Sequence, residues 1–314
     1  MMKKILFGTL AAVILLIAGI SAVGFVERTD HGLPAEAKGG LVSINGTRLR
    51  VYQKGRGPDI LMIHGCPGSL EDWDPVMDEL AKNFRVTVYD RPGYGYSSGD
   101  GNRFSLEYNA GVALKLIKVL GLKEPLVVGH SYGAATALAL AVKNPPQIRG
   151  FVLCASPGYP KVHEGFWNRA LSIPYFGEGL TAVIAPLFGA RLVRAGILSG
   201  FDPNQSSIPE GFIALRSKMW LKPSVMTTRA REYMNLESGL EKILPFYKDI
   251  RKKVLIVQGK SDEITKSAWK LHEDIPNSEL IVFDGVGHYL QFARPAEVAA
   301  ILRRAADPHL QKRG

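Results

Sequence analysis

Residues 126–135 read LVVGHSYGAA, and this stretch decides how the chain folds. The apolar run at 126–128 predicts a buried strand that stops at Gly129. Ser131 follows two residues later, and Gly133 opens a stretch that is typical of a helix. Such small residues are needed where a strand turns sharply into a helix that passes close to it, and the serine side chain then stands clear of the sheet.

The rest of the chain alternates between short apolar runs and amphipathic stretches. Buried strands are predicted at 59–64, 85–89, 125–128, 148–154, 253–257 and 280–283, helices at 70–84, 106–120, 134–142 and 295–306, and a hairpin at 41–53. This alternation predicts a mostly parallel sheet covered by helices on both faces. We expect a core formed by residues 41–155 and 248–314, interrupted by a helical, aromatic-rich cap at 156–247.

Composition narrows the function classes. The chain has 314 residues, 46% of them hydrophobic, and a formal net charge of +10. Its basic residues are scattered and do not interleave with aromatic residues, which argues against nucleic-acid binding. The two cysteines, Cys66 and Cys154, lie in or beside apolar runs and are expected to be reduced. Since no metal-ligand spacing is present, we expect neither a metal nor a cofactor.

The N-terminus carries an uncharged, mostly apolar run at residues 5–26, preceded by Lys3 and Lys4. As a helix this run would rise about 33 Å, enough to cross a hydrocarbon core. Residues 1–27 are therefore predicted to anchor the protein in a membrane, with residues 28–40 as a tether and the catalytic domain on the exported side. A cleaved signal peptide, which would give a secreted or periplasmic protein, and a buried helix of a soluble protein remain alternatives.

A serine hydroxyl needs a base, and the base needs an orienting acid. His288 is the predicted base because it follows the strand at 280–283 in a glycine-rich turn, where ligands collect in open α/β sheets. Asp262, at the end of the preceding predicted strand, is favoured over Glu263 as the acid. The other histidines are expected to be structural or exposed: His31, His64, His130, His163, His272 and His309.

An oxyanion formed during catalysis also needs donors. Residues 61–69, LMIHGCPGS, end an earlier predicted strand with a loop rich in glycine and proline. The backbone N–H groups of Cys66 and Tyr132 are predicted to converge on the substrate oxygen, since Pro67 has no N–H to offer.

Five motifs in this order resemble the α/β-hydrolase superfamily over residues 41–306. They are the oxyanion loop HGCPGS (64–69), the turn YDRPGYGYSS (89–98), the nucleophile elbow GHSYG (129–133), the acid loop GKSD (259–262) and the histidine loop GVGH (285–288). Their order matches the Ser, Asp, His order of that family. The resemblance also assigns Asp90, which ends a strand, a structural role in the turn that follows it.

The resemblance implies an α/β-hydrolase fold with a helical cap. Haloalkane dehalogenases and epoxide hydrolases share two of these motifs but carry aspartate as nucleophile, so Ser131 favours ester hydrolysis through an acyl-enzyme. The expected substrate is a small-molecule ester of apolar character, with medium-chain and acylglycerol esters as candidates. Apolar cap segments at 175–189 and 218–221 are expected either to pack within the cap or to line an acyl pocket. Cleavage of C–C, amide or lactone bonds by the same triad, and a ligand-binding role without catalysis, remain alternatives.

Overall fold

The computed structural model describes residues 2–27, 32–99, 104–160 and 165–307, and over these it contains eight β-strands and twelve α-helices. The strands are β1 Gly40–Ile44, β2 Thr47–Lys54, β3 Asp59–Ile63, β4 Arg85–Tyr89, β5 Leu126–His130, β6 Gly150–Cys154, β7 Lys253–Gly259 and β8 Ser278–Phe283. The helices are α1 Met2–Glu27, α2 Asp74–Leu80, α3 Leu106–Val119, α4 Tyr132–Ala141, α5 Phe166–Ser172, α6 Phe176–Ile184, α7 Ala190–Phe201, α8 Phe212–Trp220, α9 Pro223–Ile243, α10 Ala268–Asp274, α11 Leu290–Ala293 and α12 Pro295–Ala306.

All eight strands form one sheet in the order β1-β2-β4-β3-β5-β6-β7-β8. The hairpin β1–β2 pairs antiparallel with itself and with β4, and every other pair of neighbours is parallel. Asn45 and Gly46 form the hairpin turn, both with positive φ. The predicted fold, a mostly parallel sheet flanked by helices, is confirmed.

The hydrophobic core lies on both faces of this sheet. Successive residues of β3 alternate between the two faces, so that Ile60 and Met62 pack with α2 and α12 while Leu61 and Ile63 pack with α3 and α4. All four side chains are fully buried. Because both faces are covered, the central strands are continuous apolar runs, and polar chemistry is confined to the ends of the strands.

Parallel strands bring their carboxyl ends to one edge of the sheet. Ser131 follows β5, Asp262 comes three residues after β7, and His288 comes five residues after β8. The oxyanion loop follows β3, which is hydrogen-bonded directly to β5. The register of the sheet therefore collects every motif found in the sequence at this edge.

Helices α5 to α9 form a cap between β6 and β7. Met219 and Trp220 are buried where the cap meets the core, packed with Phe201 and Phe292, so the segment 218–221 serves packing. Three large apolar side chains of the segment 175–189 face outward instead, namely Val183, Leu187 and Phe188. Neither segment lines the cavity beside His288 that is described below.

The N-terminal helix α1 does not stand apart from this domain but packs along α6 of the cap. Its described apolar part is Ala11–Phe25. Among the described residues, one helical stretch is long and apolar enough to cross a membrane by length and composition: Phe176–Phe201, which joins α6 to α7 through a π-helical turn at Ala185–Gly189. The predicted tether at 28–40 lies partly outside the described residues, and His31 lies wholly outside them.

Candidate active site

The serine predicted to be the nucleophile lies in a strained turn between β5 and α4. Ser131 has φ 53° and ψ −123°, a conformation that costs free energy for a residue with a side chain. Glycines make this turn sterically feasible. A Cβ on Gly129 would collide with the backbone of Gly133, and a Cβ on Gly133 would collide with the carbonyls of Ile63 and His64. The local sequence thus holds Ser131 at the edge of the sheet.

The aspartate and histidine loops meet beside this turn. Nδ1 of His288 lies 2.9 Å from Oδ2 of Asp262, so the ring donates through Nδ1–H and keeps a lone pair on Nε2. Asp262 also accepts from the Thr265 hydroxyl at 2.6 Å and from Nε2 of Gln258 at 2.9 Å. Burial pushes the pKa of Asp262 upward, but the hydrogen bonds from His288 and Thr265 outweigh burial and hold this pKa well below its usual range.

Ser131 and His288 are connected through His130, the last residue of β5. Nε2 of His130 lies 2.9 Å from the carbonyl oxygen of His288, and the two rings are 4.8 Å apart at their centroids. The described part of the chain gives the Ser131 hydroxyl no hydrogen-bond partner. Hydrogen bonds of this kind are often long in free enzymes and shorten when a substrate binds.

The predicted oxyanion donors lie on either side of the serine. A Cβ on Gly65 would be 3.2 Å from Cβ of Ser131, which places the loop after β3 against the nucleophile. The backbone N–H of Cys66 follows in that loop, and the N–H of Tyr132 begins α4. Within the described residues neither N–H donates to another group of the chain. Both are therefore available to a substrate oxygen.

The Cys66 thiol is neutral and belongs to a buried polar network. Its Sγ lies 3.0 Å from the Tyr94 hydroxyl, which donates to Glu232 of α9 at 2.7 Å. Arg91 completes the network, with Nη1 2.5 Å from Glu232 and Nη2 2.9 Å from the carbonyl oxygen of Gly65. Burial and Glu232 raise the pKa of Cys66 to about 12, against the opposing effect of Arg91. The cap is thus tied directly to the oxyanion loop.

A second buried contact ties α8 of the cap to the same edge of the sheet. Nη2 of Arg216 lies 2.6 Å from Oδ1 of Asp72, and Nη1 contacts the Ser69 hydroxyl. Burial raises the pKa of Asp72 to about 6, although the charge of Arg216 opposes the rise. Breaking a buried ion pair leaves an uncompensated charge, so this pair holds α8 of the cap against the core.

Asp90 lies outside the triad, where it supports the oxyanion region. Its carboxylate accepts from the backbone N–H groups of Leu70 and Tyr96, each at 2.8 Å, and from Nε of Arg50 at 2.6 Å. These bonds hold the turn after β4. Glu263, the alternative acid, is exposed and pairs with Lys266.

The remaining described histidines have other partners. His64 is fully buried, donates from Nδ1 to the carbonyl oxygen of Gly65 and accepts at Nε2 from the N–H of Arg91, so both nitrogens are occupied. His272 is exposed on α10 and bonds Ser278. His163 and His309, like His31, lie outside the described residues.

A cavity of about 330 Å³ borders the histidine and aspartate loops. It opens between the end of α7 and the loop after β7, and seven of its nine lining residues have polar or charged side chains. The residues around it are Leu198, Ser199, Asp202, Gln205, Ser261, Asp262, Glu263, Ile264 and His288.

Sequence reasoning did not identify the side chains that link the cap to the site. Arg91 and Glu232 are 141 positions apart, and Asn204, which holds the histidine loop, lies 83 positions before Gly287. The one sequence signal for these links was Arg91, an arginine directly after the strand-end Asp90. A polar residue on a predicted helix, such as Glu232, does not indicate which residue it will bind. Among the described residues no group of three or more His, Cys, Asp or Glu side chains is placed to hold a metal ion.

Comparison with known proteins agrees with this fold. The chain is similar to 2-hydroxymuconate semialdehyde hydrolase of Pseudomonas sp. (strain CF600), with 29% identity over 82% of this chain and 89% of the relative. The enol-lactonase from Burkholderia xenovorans LB400 superposes with a TM-score of 0.70 and 20% identity over 84% of this chain and 98% of its own. A membrane phospholipase A described as a bacterial virulence factor superposes with a TM-score of 0.66 and 17% identity over 96% of both chains.

A family model for the alpha/beta hydrolase fold matches residues 58–295, which include the serine turn, the cap and the aspartate and histidine loops. The match covers more than half of the chain, and the named relative is a hydrolase. The prediction that the chain is a hydrolase is confirmed. The chain belongs to the alpha/beta hydrolase family and is a hydrolase of that fold.

Proposed function

We propose that the protein is a serine hydrolase that cleaves carboxylic esters through an acyl-enzyme. The observation that supports this proposal is that the His130 bond holds the strained turn at Ser131 to the backbone of His288, whose Nδ1 lies 2.9 Å from Asp262. These are the parts that acyl transfer requires: a nucleophile, a base and an acid that fixes the base. Neither a metal nor a cofactor enters the proposed reaction.

In this mechanism the Ser131 hydroxyl attacks the ester carbonyl while Nε2 of His288 takes its proton. The N–H groups of Cys66 and Tyr132 stabilise the resulting oxyanion. The protonated histidine then donates to the alkoxide leaving group, which departs as the alcohol. Water attacks the acyl-enzyme with His288 again as base, and the carboxylic acid leaves as Ser131 regains its proton.

The charges around the site favour a neutral substrate such as an ester. Arginines buried in the described part of the chain all bind carboxylates: Arg50 with Asp90, Arg91 with Glu232, Arg216 with Asp72 and Arg231 with Glu178. Their charges are thus already compensated within the protein. An anionic substrate would have to compete with these ion pairs, whereas an uncharged ester would not.

Hydrolysis of a C–C bond in an anionic substrate is the second candidate, and one residue favours it. Arg229 of α9 is half-buried, its guanidinium lies 5.0 Å from the ring centroid of Tyr233, and no carboxylate of the described residues forms an ion pair with it. Its charge acts on Cys66, which puts it near the oxyanion loop. Relatives that include the hydrolase from Pseudomonas sp. are C–C hydrolases.

Labelling tests the nucleophile that both candidates share, and turnover separates the two candidates. A fluorophosphonate should label Ser131 in the wild type and fail to label Ser131→Ala. With p-nitrophenyl esters of increasing chain length, the ester hydrolase should show turnover that is unaffected by Arg229→Gln. Turnover of a 2-hydroxy-6-oxo-dienoate that exceeds ester turnover, and that Arg229→Gln abolishes, would replace the first candidate with the second.

We also propose that the substrate is apolar, with medium-chain and acylglycerol esters as candidates. We further propose that α1 anchors the protein in a membrane with the catalytic domain on the exported side. The support is the length of α1, 26 residues or about 39 Å of helix, together with Lys3 and Lys4 at its start. Secretion after cleavage of this segment is the alternative. Membrane lipid is thus a proposed partner, and nucleic acid is not.

A further inference from the structure

The N-terminal helix packs against the cap through a contact between two glycines, which we call the seat of α1. A Cβ on Gly24 of α1 would collide with the Tyr175 carbonyl, and a Cβ on Gly179 of α6 would collide with the Ile20 carbonyl. Glycine at both positions lets the backbones touch, as small residues do between helices in membranes. Beside this contact the rings of Phe25 and Tyr175 lie 6.1 Å apart.

The two helices run antiparallel, since Gly24 meets Tyr175 while Ile20 meets Gly179. On α6, residues four apart share one face, so the face that receives α1 continues from Tyr175 and Gly179 to Val183. Val183 is 50% exposed. The surface that begins as the α1 contact therefore continues along the cap as an open apolar surface.

That open surface is large, and among the residues whose side chains are described it carries no exposed acid. It consists of the described apolar side chains that are at least half exposed on the two helical segments: Val13, Ile14, Leu15, Leu16 and Phe25 of α1, and Val183, Leu187, Phe188 and Leu192 of the cap. We call these residues the apolar face. Arg191 and Arg194 lie exposed beside Leu192. The acid of the segment 165–201, Glu178, is buried in an ion pair with Arg231.

We propose that the apolar face is a membrane-binding surface, in which α1 and the cap contact the same lipid leaflet and the two arginines face anionic headgroups. The partner is a bilayer because α1, which is continuous with the face, is itself apolar over Ala11–Phe25. An exposed apolar surface flanked by basic residues is typical of helices that lie in the membrane interface. This inference rests on the proposed retention of α1 as an anchor.

The same cap segment reaches the catalytic histidine at its other end. The helix that starts at the α1 contact continues through the π-helical turn to Phe201, whose ring stacks on Tyr289 at 4.5 Å. Asn204 then holds the histidine loop, accepting from the N–H of Gly287 and donating to the carbonyl of Gly285, both at 2.9 Å. Lipid contact at the apolar face is thus joined to the His288 loop by one continuous segment.

Photo-crosslinking tests the lipid contact in the full-length protein. With p-benzoylphenylalanine in place of Phe188, irradiation in vesicles of phosphatidylcholine and phosphatidylglycerol should give a lipid adduct. The same probe in place of Trp269, which is 46% exposed on α10 of the core, should give none. No lipid adduct at position 188, an adduct at both positions, or crosslinking of position 188 to a second copy of the chain would each overturn the proposal.

Disulfide formation tests the seat of α1 on the cap. In the full chain carrying Phe25→Cys and Tyr175→Cys, oxidation should join the two helices, as detected by mass spectrometry of the linked peptides. Adding Gly24→Leu should lower the linked fraction about tenfold because the helices can no longer touch. Gly19→Leu is the matched control, since nothing lies within 4 Å of a Cβ at Gly19.

An unlinked pair, or equal effects of the two leucine substitutions, would contradict the seat of α1. Intact mass reports whether the purified protein keeps α1, and its loss would overturn the membrane surface. Neither crosslink depends on turnover. A protein that fails to hydrolyse esters would therefore contradict the proposed chemistry and leave the membrane surface standing.

Discussion

Nε2 of His130 donates a hydrogen bond to the carbonyl oxygen of His288 over 2.9 Å, so the residue that precedes the serine holds the backbone of the histidine. Two loops 158 positions apart in the chain are joined by this bond. Burial, together with the charge of His288, lowers the pKa of His130 to about 3, and the ring is neutral at physiological pH. A neutral ring with its proton on Nε2 is what this bond requires.

The buried histidines should make the fold sensitive to acid. His130 has a folded pKa of about 3 against an ordinary value of 6.5, so between these values the unfolded chain binds a proton that the folded chain does not. Stability is then complete above pH 6.5 and falls as pH drops toward 3, by about 1.4 kcal/mol per pH unit for each such group. Burial lowers the pKa of His64 as well and adds to this slope, whereas Asp72, whose folded pKa is about 6, takes up a proton in the folded chain below that pH and opposes it.

Urea unfolding in detergent at pH 7, 6 and 5 measures this slope. His130→Gln should lower this slope by about one proton, because one of the two buried histidines no longer titrates. His272→Gln, on the exposed face of α10, should leave the slope unchanged. Equal slopes in the wild type and in His130→Gln would show that His130 is not the group responsible.

Replacing members of the triad should remove turnover and leave the fold intact. We expect Ser131→Ala and His288→Ala to lower kcat by about 10⁴, with a somewhat smaller loss for Asp262→Asn, because the oxyanion donors and substrate binding remain. Steady-state ester kinetics measure the loss. Near-wild-type kcat in Ser131→Ala would reject the proposed mechanism, whatever the other two variants do.

The network behind the oxyanion loop should affect kcat more than KM. Tyr94→Phe removes the hydroxyl that lies between Cys66 and Glu232. The loop that carries the Cys66 N–H is then held less tightly, and we expect kcat to fall about tenfold, since oxyanion stabilisation depends on prepositioned donors.

Tyr159→Phe is the matched control for Tyr94→Phe. The Tyr159 hydroxyl also donates to a carboxylate over 2.7 Å, that of Asp274, but in the packing beside α10. Both variants should lose similar stability, about 1–3 kcal/mol. A fall in kcat that is the same in both would mean that Tyr94 acts through stability alone.

The location of the protein is tested by fractionation. If α1 spans a membrane, the full chain should stay with membranes after washing with high salt and with carbonate. Mass spectrometry of the N-terminus supplies the second readout, and a mature chain that begins near Val23 would support signal cleavage in place of anchoring. Full-length protein found free in the cytosol would reject both.

The site was predictable from the sequence where local rules fix it. The turn at Ser131 needs glycine at 129 and 133 for steric reasons, and the aspartate and histidine follow apolar strands whose carboxyl ends must share an edge. The exposure of the apolar residues in the cap could not be predicted in this way. These residues were expected to pack inside the cap or to line a pocket, yet Val183, Leu187 and Phe188 face outward.

The links between cap and core were not predictable for a different reason. The bonds that Arg91, Glu232 and Asn204 form between cap and core span 81 to 141 positions of sequence, and nothing local distinguishes these residues from solvated polar residues. Helix periodicity tells which residues share a face, but it does not tell which element that face will meet. Tertiary packing alone decides those partners.

Asn204 should prove to be a positioning residue for His288. Its side chain bridges the N–H of Gly287 and the carbonyl of Gly285, so Asn204→Ala removes two bonds that hold the loop just before the histidine. We expect kcat to fall about tenfold with little change in KM, because small misplacement of a base slows the chemical step. Asn204→Asp, which keeps the acceptor for Gly287, should recover part of the loss.

Asn144→Ala provides the matched control for this last prediction. Asn144 makes the same kind of bridge, donating to the carbonyl of Asp249 at 2.9 Å and accepting from the N–H of Arg251 at 2.7 Å, near the amino end of β7 and away from the triad. Its φ of 45° makes alanine more strained there than at Asn204, so its cost in stability should be at least as large. Ester kinetics and urea unfolding of the three variants separate the two roles. If Asn144→Ala lowers kcat as much as Asn204→Ala does, the two hydrogen bonds from Asn204 to the histidine loop contribute to stability and do not position His288 for catalysis.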